Sequence, residues 1–240
     1  MGEWVYRQRL VTRVTHGLWA VCLVFLTFSG LQIFNAHPVL HWGQESGFDY
    51  DNAVAAFTVP GALTMPSGRS LATGRVIHFF FAWGLVGTLL VWAVASMVNG
   101  HLRALIPSVA DLRGLPADVV DHLKLRFQHG RGYGVLQKLA YGGVLFGLLP
   151  LMIATGLTMS PGFNAVAPWL LDVFGGRQSA RTLHFAGMSG LVAFFAIHMA
   201  MILAAGPLRE MRAIVTGWYR TGETGTGEIG AGEVKDDHAA

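Results

Sequence analysis

Charged residues are scarce in this chain: Asp, Glu, Lys and Arg make up 13% of its 240 residues, whereas 52% of them are apolar. Soluble domains carry about a quarter charged residues, so a water-facing shell around this much apolar material is excluded. The mean hydropathy of +0.46 instead indicates a chain embedded in a lipid bilayer. The net charge is +3, yet no basic cluster is interleaved with aromatics, which argues against nucleic-acid binding.

Cysteine is almost absent as well. The one cysteine, Cys22, lies within an apolar run. An intrachain disulfide and a C-x-x-C-H attachment site for c-type haem are therefore both excluded. Any haem in this chain is expected to be held without a covalent bond.

Four apolar runs without internal Asp, Glu, Lys or Arg reach the roughly 20 residues that a helix needs to cross a bilayer core of about 30 Å. They extend from Val14 to Phe34, Val76 to Val98, Leu139 to Thr158 and Leu183 to Ala205. The first is longer than the apolar part of a signal peptide and precedes no small-residue cleavage site, so we expect a retained span. The predicted fold is an all-α bundle of four transmembrane helices within residues 1–220.

Basic residues concentrate in three places: before the first span, between the second and third spans, and after the fourth. They are Arg7, Arg9 and Arg13, then Arg103, Arg113, Lys124, Arg126 and Arg131, then Arg209, Arg212 and Arg220. Because short cytoplasmic loops carry an excess of Lys and Arg, we expect both termini in the cytoplasm.

The connecting segments have different compositions. The first outer loop, from Asn35 to Gly74, is long and acidic enough to be a docking surface, and the segment from Pro161 to Gly176 predicts a short helix at the outer interface. An amphipathic surface helix is predicted from Pro116 to Phe127. Residues 221–240 contain almost no large apolar side chain, which predicts a disordered tail.

Four of the ten histidines fall inside the predicted spans, namely His16, His78, His184 and His198. An ionisable side chain in a span is costly and commonly functional. With the predicted orientation, His78 and His184 lie at the outer ends of their spans and His16 lies at an inner end. His198 follows His184 by 14 residues, which is about 21 Å along the helix and returns close to the same face. The four histidines therefore form an outer pair, His78 with His184, and an inner pair, His16 with His198.

Each pair supplies two imidazoles at one depth from two helices, as bis-histidine ligation of a haem iron requires. A structural zinc would need four ligands, and no Cys or carboxylate is available at these depths. The simpler alternative is that each histidine bonds to a neighbouring helix. The spacing favours two b-type haems.

Three arginines, Arg13, Arg75 and Arg181, each precede one of these histidines by three residues. They share its helical face one turn nearer to water, where a guanidinium suits a haem propionate. The alternative is that they flank spans and extend towards water. Gly30 follows His16 by 14 residues, at the level of the outer pair, where the absence of a side chain would let a macrocycle approach.

With these residues, the chain resembles the di-haem cytochrome b subunits of membrane-bound bacterial oxidoreductases, such as those of formate dehydrogenase, nickel-iron hydrogenase and thiosulfate reductase. The resemblance covers Tyr6 to Tyr219. It rests on Arg13-Val14-Thr15-His16, Arg75-Val76-Ile77-His78 and the spacing of His184 and His198. Residues 30–38, 136–141 and 149–156 look most like the thiosulfate-reductase branch.

The resemblance implies an electron conduit in a bacterial inner membrane, with no substrate-converting site of its own except for quinone. The haem of His16 and His198 would exchange electrons with a membrane quinone. The haem of His78 and His184 would exchange them with an extracytoplasmic partner that carries molybdenum or iron–sulfur cofactors, of thiosulfate-reductase type or, as an alternative, a nickel-iron hydrogenase.

The quinone contacts follow less directly. The family often has an Asn near the start of the third span, where this chain has Gly134, which leaves Gln137 and Lys138 as candidates. A function from another class is a haem-free scaffold or transporter. Transporters more often show broken helices, and only Pro150 interrupts a span in this chain.

Overall fold

The computed structural model describes residues 4–6, 8–46, 53–68, 70–124 and 134–220. The predicted disordered tail, 221–240, lies outside the described residues, as does the end of the predicted surface helix, 125–127.

Within the described residues, four helices are long and apolar enough to cross a membrane, which confirms the predicted all-α, four-span fold. They are Leu10–Phe34, Leu71–Val98, Val135–Thr158 and Arg177–Ala205. Each ends where predicted but begins four to six residues earlier (10 against 14, 71 against 76, 135 against 139, 177 against 183). The extra first turns contain polar residues, so a prediction from hydropathy does not include them in a span, although their backbone is helical. At the second span, Ser70 caps the helix by accepting a hydrogen bond from the Thr73 amide.

The spans pack as two antiparallel pairs, the first against the second and the third against the fourth. Their core contains one buried apolar residue from each span: Cys22, Leu85, Leu149 and Leu191. Around it, the rings of Phe25 and Phe81 stack with centroids 4.1 Å apart. This core fixes the depth at which side chains of different spans face one another.

The third span is not a uniform helix. It consists of α-helix over Val135–Gly142, π-helix over Gly143–Leu148 and α-helix over Leu149–Thr158. Pro150 lies directly after the π-helical turn, and its ring lacks an amide hydrogen and excludes the carbonyl one turn earlier. The wider turn accommodates this proline within a continuous span.

In the part of the chain that the structure describes, two small antiparallel sheets lie at the two ends of the bundle. Strand β1 (Trp4–Tyr6) pairs with β4 (Trp218–Arg220), and β2 (Val39–Leu40) pairs with β3 (Ala55–Ala56). The first sheet brings the N-terminal segment and the segment after the fourth span to the same end of the bundle. The membrane face at this end stays a prediction.

Short helices cover the ends of the spans. They are Gly61–Leu63 (3-10), His101–Leu105, Val109–Arg113, Leu115–Leu123, Pro161–Val166, Trp169–Val173 and Pro207–Thr216. The segment in which one short helix was predicted contains two, Pro161–Val166 and Trp169–Val173. Ala167 and Pro168 separate them. Leu115–Leu123 corresponds to the predicted surface helix.

Candidate functional site

The structure brings the four span histidines together two at a time. The ring centroids of His78 and His184 are 6.3 Å apart with planes at 62°. Those of His16 and His198 are also 6.3 Å apart, with planes at 59°. These are the pairs that depth and helical face predicted.

The separation within each pair fits one metal ion between the rings. A ligating imidazole nitrogen lies about 2 Å from the metal, and the ring centre lies about 1 Å behind the nitrogen, so two rings on opposite sides of an ion are roughly 6 Å apart. Within the described part of the chain, no three or more His, Cys, Asp or Glu side chains converge. Each site thus offers two protein ligands, which suits an iron whose other ligands come from a porphyrin.

Each outer histidine packs against a glycine of a neighbouring span. A Cβ atom on Gly30 would lie 3.3 Å from Cε1 of His78, and one on Gly156 would lie 3.5 Å from Cε1 of His184. Gly30 was predicted to admit a macrocycle, and the structure turns its open side towards the imidazole; the macrocycle contact stays a prediction. Gly156 was not predicted.

A buried hydroxyl precedes each of these glycines. Ser29 Oγ lies 3.1 Å from Nδ1 of His78, and Thr155 Oγ1 lies 2.9 Å from Nδ1 of His184. Both side chains have no exposed surface. Sequence reasoning missed both residues and predicted no contact between the third span and a histidine. The signal that could have found them is the repeated hydroxyl–glycine dipeptide at the same depth.

The inner pair has different neighbours. The ring of His198 stacks on Phe194, with centroids 5.8 Å apart and planes at 11°. Among the residues that the structure describes, no hydrogen bond to the ring of His16 or His198 is present. Trp19, one turn after His16, packs against Trp92, and its buried Nε1 atom has no hydrogen-bond partner among the described residues.

Two of the three predicted propionate-binding arginines bind backbone carbonyls. Arg13 donates to the carbonyls of Ile214 (3.3 Å) and Val215, which ties the first span to helix Pro207–Thr216. Arg181 donates to the carbonyls of Val39 (3.1 Å) and His37, which ties the fourth span to the first outer loop.

Arg75 is placed differently from the other two arginines. It is exposed, and its guanidinium carbon lies 5.8 Å from the centroid of the Phe79 ring. It forms no ion pair or hydrogen bond with a side chain in the described ranges. Propionate binding by all three arginines stays a prediction.

The quinone candidates at the start of the third span both have structural partners. Gln137 Oε1 accepts a hydrogen bond from the Gly134 amide at 3.3 Å. Lys138 Nζ lies 2.8 Å from Oδ2 of Asp111. Hydrogen bonds from Lys138 and then from Ser108 lower the pKa of the Asp111 carboxyl to about 2.

Comparison with known proteins identifies the family of this chain. A family model described as prokaryotic cytochrome b561 matches residues 7–217, nearly the whole described chain. The chain belongs to the prokaryotic cytochrome b561 family. As a member of this family it is a multi-pass membrane cytochrome that transfers electrons through b-type haem, and the resemblance to cytochrome b subunits of oxidoreductases is confirmed.

A curated relative of this cytochrome b561-type chain is also similar over most of its length. It is the "Putative protein-methionine-sulfoxide reductase subunit YedZ1" of Azospira oryzae. The two sequences are 31% identical over 195 residues, which cover 79% of this chain and 86% of the relative.

Proposed function

We propose that this cytochrome holds two b-type haems and conducts electrons between a membrane quinone and an extracytoplasmic oxidoreductase subunit. One haem would lie between His16 and His198 and the other between His78 and His184. The observation that carries this proposal is the 6.3 Å separation of the rings in both pairs. The haem supplies reversible one-electron chemistry, and the chain supplies ligands and a water-poor environment.

The fourth span sets the distance between the two sites. His184 and His198 lie 14 residues apart, about 21 Å along a helix axis. In a core of about 30 Å, this puts one pair of ligands near each face. Haems at these two positions would let electrons cross most of the apolar layer without a charged residue at the centre of that layer.

The outer end offers a defined surface near the second site. Thr182 Oγ1 donates to the His41 carbonyl at 2.7 Å, and the Gly43 carbonyl accepts the amide hydrogens of Gln178 and Ser179. These bonds hold the start of the outer loop within about two helical turns of His184. We assign the docking of the partner subunit to this loop.

For the partner, the name of the Azospira oryzae relative supports an oxidoreductase that acts on methionine sulfoxide in proteins. A molybdenum enzyme of thiosulfate-reductase type and a nickel-iron hydrogenase are the alternatives from the resemblance. The quinone and the cytoplasmic position of both termini likewise follow from the resemblance and from the distribution of basic residues.

The test of the haem content is a reduced-minus-oxidised absorption spectrum of the full chain, expressed with added haem and purified in detergent. Pyridine haemochrome assay then gives the haem per polypeptide. Two b-type haems are expected. One haem per chain would contradict the two-site conduit, and none would favour a scaffold or transporter.

The test of the partner uses native membranes in which the cytochrome is first reduced with a quinol analogue. Reoxidation by a protein substrate that contains methionine sulfoxide would support the proposed partner. Reoxidation by thiosulfate, or reduction by hydrogen, would favour one of the two alternatives. Failure of the quinol analogue to reduce the haem would remove the quinone from the proposal.

A further inference from the structure

The first and third spans present the same small motif to the outer histidines. In the first, Ser29-Gly30 faces His78, and in the third, Thr155-Gly156 faces the ring of His184. The glycine leaves room for the ring, and the hydroxyl meets its Nδ1 atom. Two spans that are not neighbours in the sequence thus build matching surroundings for the two rings of one site.

The hydroxyl hydrogens determine the direction of these hydrogen bonds. Ser29 Oγ is 2.6 Å from the Phe25 carbonyl oxygen, and Thr155 Oγ1 is 2.6 Å from the Leu151 carbonyl oxygen. A hydroxyl has one hydrogen, and a carbonyl can only accept. Since that hydrogen is donated to the carbonyl, the hydroxyl oxygen accepts from the imidazole.

The hydrogen of each outer imidazole therefore lies on Nδ1. A neutral imidazole with its hydrogen on Nδ1 has its lone pair on Nε2, which is then the atom free to ligate a metal.

We infer that Ser29 and Thr155 are positioning residues of the outer haem site, which hold His78 and His184 as Nδ1–H tautomers and increase their basicity as ligands. The inference rests on the proposed function. An acceptor on the far nitrogen of a ligating imidazole strengthens donation to the metal and favours its oxidised state. The ring of the inner ligand His198 instead stacks on Phe194, so the effect is specific to the outer site.

The test compares Thr155→Val and Ser29→Ala with the wild type. The haem content of each purified full chain is measured first, and potentiometric titration then gives the midpoint potential of each haem. In each variant we expect one of the two midpoint potentials to rise and the other to stay unchanged. The affinity for the outer haem, measured by competition with apomyoglobin as a haem acceptor, should fall by about 10- to 100-fold, the usual effect of losing such a contact. Thr155→Ser, which keeps the hydroxyl, should restore both values.

Thr158→Val is the matched control. Thr158 is on the same span, has no exposed surface and donates to the Ala154 carbonyl at 2.8 Å, but it has no contact with a histidine ring in the described part of the chain. Its midpoint potentials should equal those of the wild type.

Three outcomes would overturn the inference: unchanged potentials in both Thr155→Val and Ser29→Ala, an equal shift in Thr158→Val, or no recovery in Thr155→Ser. If Thr155→Val does not fold, Ser29→Ala tests the inference alone, because it removes only the hydroxyl oxygen that contacts His78. Absence of haem from the wild type would be a failure of the proposed function and is recognised before any variant is compared.

Discussion

The carbonyl oxygen of Gly43 lies 2.5 Å from the position that a Cβ atom on Gly176 would occupy. The same oxygen accepts hydrogen bonds from the amides of Gln178 (3.0 Å) and Ser179 (3.2 Å) at the start of the fourth span. The first outer loop thus takes the place of a side-chain cap for two of the unpaired amides of this helix. The loop and the helix that carries His184 form one structural unit at the outer end.

We predict that Gly176→Ala lowers the thermal stability of the protein. The residue has φ of +109°, which costs a non-glycine residue about 1–3 kcal/mol, and the new methyl group collides with the Gly43 backbone. The midpoint of thermal unfolding in detergent should fall by several degrees. Gly162→Ala is the control, because a Cβ atom there meets nothing within 4 Å. Equal losses in both variants would contradict the capping role of Gly43.

Single substitutions of the span histidines should remove one haem each. His78→Ala or His184→Ala leaves an outer site with one ligand, and His16→Ala or His198→Ala does the same at the inner site, because each iron needs two imidazoles. The measurement is haem per polypeptide together with the potential of the haem that remains. Variants of one pair should retain the same haem, and those of the other pair should retain the other.

His37→Ala is the control for these four variants. His37 lies in the outer loop, where its Nδ1 atom is 3.1 Å from Arg181, and its loss should leave two haems bound. Two haems in all four span variants would contradict the ligand assignment.

The spans and the histidine pairs could be predicted because both depend on local signals. Apolar length indicates a span, and the 14-residue spacing of His184 and His198 returns to one helical face whatever the neighbouring helices do. Depth then selects the partner of each histidine, since a membrane restricts helices to nearly parallel directions. The polar first turns were missed because apolarity does not report where a helix begins.

The hydroxyl and glycine contacts could not be predicted because they depend on the register between helices. Ser29 and Thr155 belong to residue types that commonly pack between membrane helices, and only the relative sliding of two spans decides whether such a hydroxyl meets a ring. The contacts of Arg181 depend likewise on the path of the outer loop, which brings the carbonyls of His37 and Val39 to the guanidinium.

Arg75→Leu is predicted to weaken retention of the outer haem only. Arg75 precedes His78 by one helical turn, and in the described structure its guanidinium contacts the Phe79 ring, which leaves its hydrogens available to a propionate. Because Arg75 is exposed, such a pair contributes about 0–1 kcal/mol, so haem transfer to apomyoglobin should accelerate by no more than about fivefold. Arg75→Lys should lie between this variant and the wild type. The inner haem is the internal control, and equal acceleration of both haems would contradict the assignment.

The ion pair between Asp111 and Lys138, 2.8 Å apart, predicts a pH-dependent contribution to stability at the start of the third span. The pKa of Asp111 is lowered from 3.8 to about 2, so its carboxylate stabilises the folded state above about pH 4. This contribution is lost as the pH falls from about 4 through 2. The difference in thermal unfolding midpoint between the wild type and Asp111→Asn should therefore stay constant from about pH 8 to 5 and shrink below about pH 4.

Lys138→Met provides the second arm of this test. If Asp111 acts through Lys138, the loss in the Asp111→Asn, Lys138→Met double variant should be smaller than the sum of the two single losses at about pH 7. Additive losses would show that the Asp111 carboxylate acts only through the hydrogen bond that it accepts from the Ser108 amide. A difference that already disappears between about pH 8 and 6 would show that another group titrates there, because a carboxyl with a lowered pKa remains ionised throughout that range.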